Sequence, residues 1–294
     1  MTHRMGITAL MLAACACLAA APQVRAQGMG AQQQGTQQQG AQDQKPSLQN
    51  PTPQKPAAPA APAVDPKEEA AYKAFVALKP TAPADYDAQI QAGEDFVKNY
   101  PQSRYLVVVY SRLTNAYFER QKLDKMYVAA DKTLQLNPND VTVLTLVGWV
   151  IPRGNPTVPG FADQLAKAEQ YEKHALEILA TLPKPAELTD EQFATTKASA
   201  VSQAHSGLGV VYFREGKDSD SVAELTQATG GSPHPDPTDY FILGVEDEKL
   251  NKFSDAEKSF DSCAQITSQL QDRCKQGAAE AKAKAGSQPQ PPKP

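Results

Sequence analysis

The side chains best suited to proton transfer or metal binding are His174, His205 and His234, and their spacing serves neither purpose. A helical zinc site needs a pattern such as His-Glu-x-x-His, and none of the three histidines lies in one. Ser206 follows His205 directly, but adjacent residues on a helix do not face each other, so this is not a nucleophile beside its base. Gly207-Leu208-Gly209 lies inside a helical pattern and so cannot wrap a pyrophosphate as a glycine-rich turn does. Glu246, Asp247 and Glu248 read as a solvated acidic face. No catalytic residue, metal or cofactor is expected, and the chain reads as non-enzymatic.

The cysteines point to a compartment. Cys15 and Cys17 fall in residues 1–26, where a short basic start (His3, Arg4) precedes an apolar stretch from Met5 to Pro22. Val24-Arg25-Ala26 before Gln27 then fits a small-x-small cleavage site, as in a secretory signal peptide. Leu12-Ala13-Ala14-Cys15 fits a second reading, a lipobox in which Cys15 is acylated and becomes the new N-terminus. The apolar stretch falls short of the roughly 20 residues a membrane helix needs, and no other segment is apolar enough, so the mature chain has no transmembrane span. The protein is expected to be exported: periplasmic on the first reading, a membrane-anchored lipoprotein on the second. Export leaves Cys263 and Cys274, an even pair that suggests a disulfide in an oxidising compartment. Two unrelated buried thiols are the alternative.

The formal net charge is −4, and removing the leader takes away two arginines and no acid. That balance argues against nucleic acid and against an anionic membrane surface as partners, both of which call for a basic face. Residues 27–65 are dominated by Gln, Gly, Pro and Ala, with runs such as Gln37-Gln38-Gln39-Gly40 and Pro56-Ala57-Ala58-Pro59, and contain no aromatic residue. Such a segment cannot offset the entropy of ordering and reads as a disordered linker spanning roughly 30 to 40 Å. The tail, 287–294, reads the same way.

Between them the sequence repeats itself with a period of about 34 residues. Val147-Gly148, Leu208-Gly209 and Leu243-Gly244 each open a helix-pair pattern. The unit 107–140 carries Tyr110, Leu113, Tyr117 and Pro138, and the unit 202–235 carries Leu208, Gly209, Tyr212, Ala228 and Pro233. The unit 237–270 carries Tyr240, Leu243, Gly244, Ala256, Phe260 and Cys263. These residues resemble the tetratricopeptide repeat, with a large residue at position 4, Leu-Gly at 7 and 8, Tyr at 11, a small residue at 20, an aromatic near 24, Ala at 27 and Pro at 32. Small residues at 8 and 20 let two helices approach while the larger ones fill the space between them. A further unit, 141–183, has about eight extra residues between its helices, where Ile151-Pro152-Arg153-Gly154 through Gly160 cannot continue a helix. A degenerate helix pair at 66–101, a long helix from about Asp190 with a Thr189/Gln192 capping box, and a polar closing helix at 270–285 complete the domain, 66–286. The fold class is all-α, a helical-hairpin repeat solenoid with a disordered N-terminal linker.

The resemblance implies a protein-interaction scaffold that takes a peptide or protein segment in the concave groove made by successive first helices. Groove positions 2, 5, 9 and 12 include Ser111, Asn115, Phe118, Thr145, Trp149, Ser206, Val210, Phe213, Phe241 and Val245. Chaperone-binding members clamp a terminal carboxylate with Lys, Asn and Arg. Here Asn115 is present, but Ser111 and Gln203 stand where the cations would be, which argues against that partner class. Trp149, the sole tryptophan, has two readings: a groove anchor, or a side chain packed against the inserted loop. The expected partner is an envelope protein or peptide, the alternative role is a component of an outer-membrane or surface assembly, and the oligomeric state is left open.

Overall fold

The computed structural model describes residues 65–232 and 235–287, so the leader, the linker up to residue 64 and the last seven residues lie outside it. The described residues form eleven α-helices: α1 (Pro66–Ala77), α2 (Pro83–Asn99), α3 (Leu106–Glu119), α4 (Leu123–Leu136), α5 (Val141–Val150), α6 (Phe161–Thr181), α7 (Asp190–Glu215), α8 (Asp218–Gly231), α9 (Pro237–Lys249), α10 (Phe253–Gln265) and α11 (Gln271–Ser287). Local chemistry sets many of the ends. Asp65, Asp140 and Asp236 accept from the backbone N–H of Lys67, Val143 and Thr238 at 2.9, 3.1 and 2.8 Å, which satisfies donors the first turn leaves open. Thr189 and Gln192 close a reciprocal box on α7. Gly216, at φ +72°, stops α7 in a left-handed conformation that a side chain would strain.

Consecutive helices pair antiparallel, α1 with α2 through α9 with α10, and α11 closes the stack. The first helices of successive pairs, α3, α5, α7, α9 and then α11, also touch one another in sequence, so they form one continuous layer. The packing code is visible at three glycines. A Cβ on Gly209 would stand 2.5 Å from Leu225, one on Gly244 2.8 Å from Phe260, and one on Gly148 2.5 Å from the carboxyl carbon of Glu172. Each first helix thus rests directly on a side chain of its partner helix, and close-packed interiors leave no slack there. The apolar interior is a string of clusters at the junctions rather than one centre. Phe75, Ile90, Phe96, Val109, Leu113 and Met126 fill the first, Val147, Ile151, Leu165, Leu208 and Val211 the next, and Phe260 with Ala278 and Ala281 the last. This arrangement is what a repeat array requires, since each pair buries its faces only against its neighbours.

Two details depart from expectation. The insert does not open at Ile151: Ile151–Arg153 form a 3-10 turn stacked on the end of α5, and Ile151 and Pro152 are buried. Pro152 lacks the N–H that would carry the α-helical ladder on to the Gly148 carbonyl, so α5 gives way there to a 3-10 turn. Ser287, expected in the tail, instead ends α11, with its hydroxyl donating to the Ala283 carbonyl at 2.9 Å. At the closing end, Cys263 on α10 and Cys274 on α11 face each other without exposed surface, with Cα atoms 5.8 Å apart, a separation that a disulfide spans.

Candidate functional site

The residues singled out for chemistry are engaged in structure. His205 on α7 meets Glu224 on α8 at 2.6 Å, and His174 on α6 meets Asn139 at 2.8 Å; His234 lies outside the described residues. Ser206 is buried, and its hydroxyl oxygen accepts from Arg153. The acidic run is corrected: Glu246 and Asp247 are buried, while Glu248 keeps partial exposure and takes Lys284 at 2.9 Å. The helix turns these three neighbours to different surroundings. Glu246 pairs with Lys249, Asp247 faces the charges of Lys252 and Asp255 at the start of α10, and burial raises both carboxyls above the usual range.

Of the ten groove residues, Ser111, Asn115, Phe118, Trp149, Phe213, Phe241 and Val245 are half-buried and lie on α3, α5, α7 and α9. Thr145, Ser206 and Val210 are 2, 4 and 2 % exposed and present no surface. Val210 packs on Ile242 and Leu243 of the neighbouring first helix α9, and the Thr145 hydroxyl donates to the Val141 carbonyl of its own helix at 3.0 Å. The aromatic residues form a broken row. Phe118 meets Trp149 edge-on at 6.0 Å, Lys249 lies 5.1 Å from the Phe213 ring, and Arg273 lies 4.7 Å from Phe241. Trp149 packs against the inserted segment: Phe118 braces one side and the Arg153 guanidinium covers its ring at 4.1 Å, while part of it stays exposed.

Arg153 is the residue that sequence reasoning missed. From the 3-10 turn, its Nη1 donates to the Trp149 carbonyl at 3.0 Å, and its Nη2 donates to Ser206 Oγ at 2.7 Å and Asp239 Oδ1 at 2.8 Å. Asp236 stands 3.8 Å away, and Arg214 Nε holds the neighbouring Pro152 carbonyl at 2.9 Å. One guanidinium thereby ties α5 to α7 and to the first turn of α9. Its side chain is only 16 % exposed and that of Asp239 4 %. Such a pair is expensive to bury and expensive to break. Burial pushes the Asp239 carboxyl up to about 6, against the pull of Arg153.

Glu172 on α6 lies in the field of the same cation. It is wholly buried, neither carboxyl oxygen has a hydrogen-bond partner, and Arg153 Nε is likewise unpartnered. Its side chain lies against Gly148 and also against Gly207, where a Cβ would collide with it. Counting through the insert, Glu172 falls at position 24, where Leu225 and Phe260 stand in the following units. Burial raises its carboxyl well above the ordinary range, and Arg153 only partly opposes this. That register was legible in the sequence. Arg153 was not, because a single arginine in a proline- and glycine-rich loop carries no periodic signal.

Helix pairs in register, first helices in one layer, and glycines seated on partner-helix side chains define a helical-hairpin repeat array, the architecture that the resemblance to the tetratricopeptide repeat implies. No family model and no curated protein matches the chain. Among solved structures it is similar to PilW, a type IV pilus biogenesis factor, at 15% identity over 76% of this chain and 94% of that one, with a TM-score of 0.47. It is also similar to a thermophilic tetratricopeptide protein of Thermus thermophilus, at 16% identity over 74% and 99% with a TM-score of 0.44. A tetratricopeptide repeat protein from Parabacteroides merdae aligns at 13% identity over 75% and 86%, with a TM-score of 0.37. The class is carried by the chain's own register and packing.

Proposed function

We propose that the protein is a non-enzymatic interaction scaffold of the bacterial cell envelope, holding a peptide or protein segment against the layer of first helices. The observation that carries this is the row of half-exposed Phe118, Trp149, Phe213 and Phe241 along α3, α5, α7 and α9, braced by neighbours and so presented with little conformational freedom left to lose. Export by the leader at 1–26, the linker at 27–65 and a Cys263–Cys274 disulfide that pins the closing helix belong to the same reading. Among the described residues no helix is long and apolar enough to cross a membrane.

The test uses Phe118→Ala and Phe213→Ala together, in full-length protein with unchanged helical circular dichroism. Capture of partners from envelope extract should fall at least tenfold. Undiminished capture would remove the groove from the account. A second reading, a structural component of a surface assembly, draws on α4, where Leu123, Val128 and Leu136 are 42, 63 and 54 % exposed. Loss of capture in Val128→Lys, with the groove intact, would favour it.

A further inference from the structure

We propose that the last stretch of the first-helix layer, between Arg214 of α7 and Arg273 of α11, takes an extended acidic peptide segment: two Asp or Glu residues four apart, with an apolar residue midway. This names the chemistry of the partner and rests on the groove reading. It starts from two arginines left without counter-charges. Arg104, Arg120 and Arg153 each hold a carboxylate, at 3.7, 2.9 and 2.8 Å. Among the described residues Arg214 and Arg273 hold none: Arg214 commits only its Nε, to the Pro152 carbonyl, and Arg273 lies 4.7 Å from the Phe241 ring. The acids nearest them are taken, Glu215 by Lys217 at 2.8 Å, Asp272 by Lys275 at 3.1 Å and Glu248 by Lys284 at 2.9 Å. Both arginines are exposed, and a guanidinium resting on a ring keeps its N–H edge free for a carboxylate. On a chain of net charge −4 this pair is a local exception, far short of the basic track that nucleic acid calls for.

Helix α9 sets the spacing. Phe241, Val245 and Lys249 recur every four residues and so lie along one side of it. Arg273 stands at the Phe241 end; at the other end Lys249 lies 5.1 Å from the Phe213 ring, and Arg214 6.0 Å from the same ring. Eight residues of helix span about 12 Å. In an extended segment, residues i and i+4 lie about 13 Å apart and share a side with i+2. Carboxylates at i and i+4 therefore meet the two arginines, while i+2 falls on half-buried Val245 between them. Lys249 is already shared by Asp218 and Glu246 and adds less. The target is side-chain carboxylates along a segment, so no free C-terminus is required. These cations also stand apart from the positions that Ser111 and Gln203 occupy.

The experiment selects binders on the full chain, at low salt, from a random peptide library displayed within a loop so that no peptide carries a free terminus. Binders should be enriched in Asp or Glu at i and i+4 around an apolar residue, and Arg273→Glu should turn one of those acidic preferences to Lys or Arg. Synthetic copies capped at both ends should bind Arg273→Glu at least about fivefold more weakly by fluorescence anisotropy, and weaken as salt is added. Arg214→Gln supplies a second variant should the first fail to fold. Binders with no acidic preference, or with one indifferent to both arginine variants, would overturn the charge reading; the groove reading survives that result if Phe118→Ala with Phe213→Ala abolishes their binding. Binders that ignore the arginines and also survive the groove pair would overturn both. So would an empty selection beside a control domain that recovers its own peptides.

Discussion

Replacing Glu172 by methionine should make the protein more stable. The side chain lies between Gly148 and Gly207 with no exposed surface, and both carboxyl oxygens lack hydrogen-bond partners. An unsatisfied buried polar group costs about 1 to 3 kcal/mol, and methionine supplies an unbranched apolar chain of similar length that suits a narrow slot. Arg153 offsets part of the carboxylate's cost, so the net gain is about 2 kcal/mol at pH 7. The pH dependence is a second signature. The folded carboxyl is raised above its ordinary value of 4.5, so the penalty from Glu172 is largest above the folded pKa and shrinks as pH falls towards 4.5. The advantage of methionine should therefore be larger at pH 8 than at pH 5. Repeat arrays unfold in sections, so the assay is urea denaturation followed through Trp149, which reports the same helix pair. Glu177→Met, at a side chain 79% exposed, is the control. A loss of more than about 1 kcal/mol, or a gain indifferent to pH, would refute the reasoning, because either result means the carboxyl is satisfied where it lies.

Arg153→Met should lose about 3 kcal/mol by stranding the Asp239 carboxylate, and Asp239→Asn added to it should recover much of that loss in a double-mutant cycle by calorimetry. Gly244→Val should destabilise by more than about 2 kcal/mol, since even the first added carbon stands 2.8 Å from the Phe260 ring; thermal melts check it, and Gly230→Val, with open space at its Cβ, should stay within the cost of helix propensity. Protein purified from an oxidising compartment should show Cys263 and Cys274 joined in one non-reduced proteolytic fragment. Its reduction should lower stability by about 2 to 3 kcal/mol and expose α11 first to protease.

The parts of this fold legible in the sequence are those that a packing code must repeat. Gly148, Gly209 and Gly244 mark first helices because only a glycine lets the partner helix come so close, and Thr189 with Gln192 marks the start of α7 because two side chains satisfy two backbone donors. What stayed hidden was set by tertiary neighbours. Glu246 and Asp247 look like a wetted face until Asp218 of α8 and the start of α10 are brought against them. Thr145, Ser206 and Val210 occupy groove positions by count, yet the adjacent helices and Arg153 cover them. Arg153 acts across residues 86 positions apart in the chain, a distance over which no local pattern reports.

The claim that the layer of first helices is the binding surface is tested most directly by placing a photo-crosslinking amino acid, one position at a time, at Phe118, Trp149, Phe213 and Phe241, and at Val128 and Leu136 on α4, in cells. The groove reading expects one common adduct from the first four positions and none from α4. The same adduct from α4, or no adduct from any groove position, would contradict it.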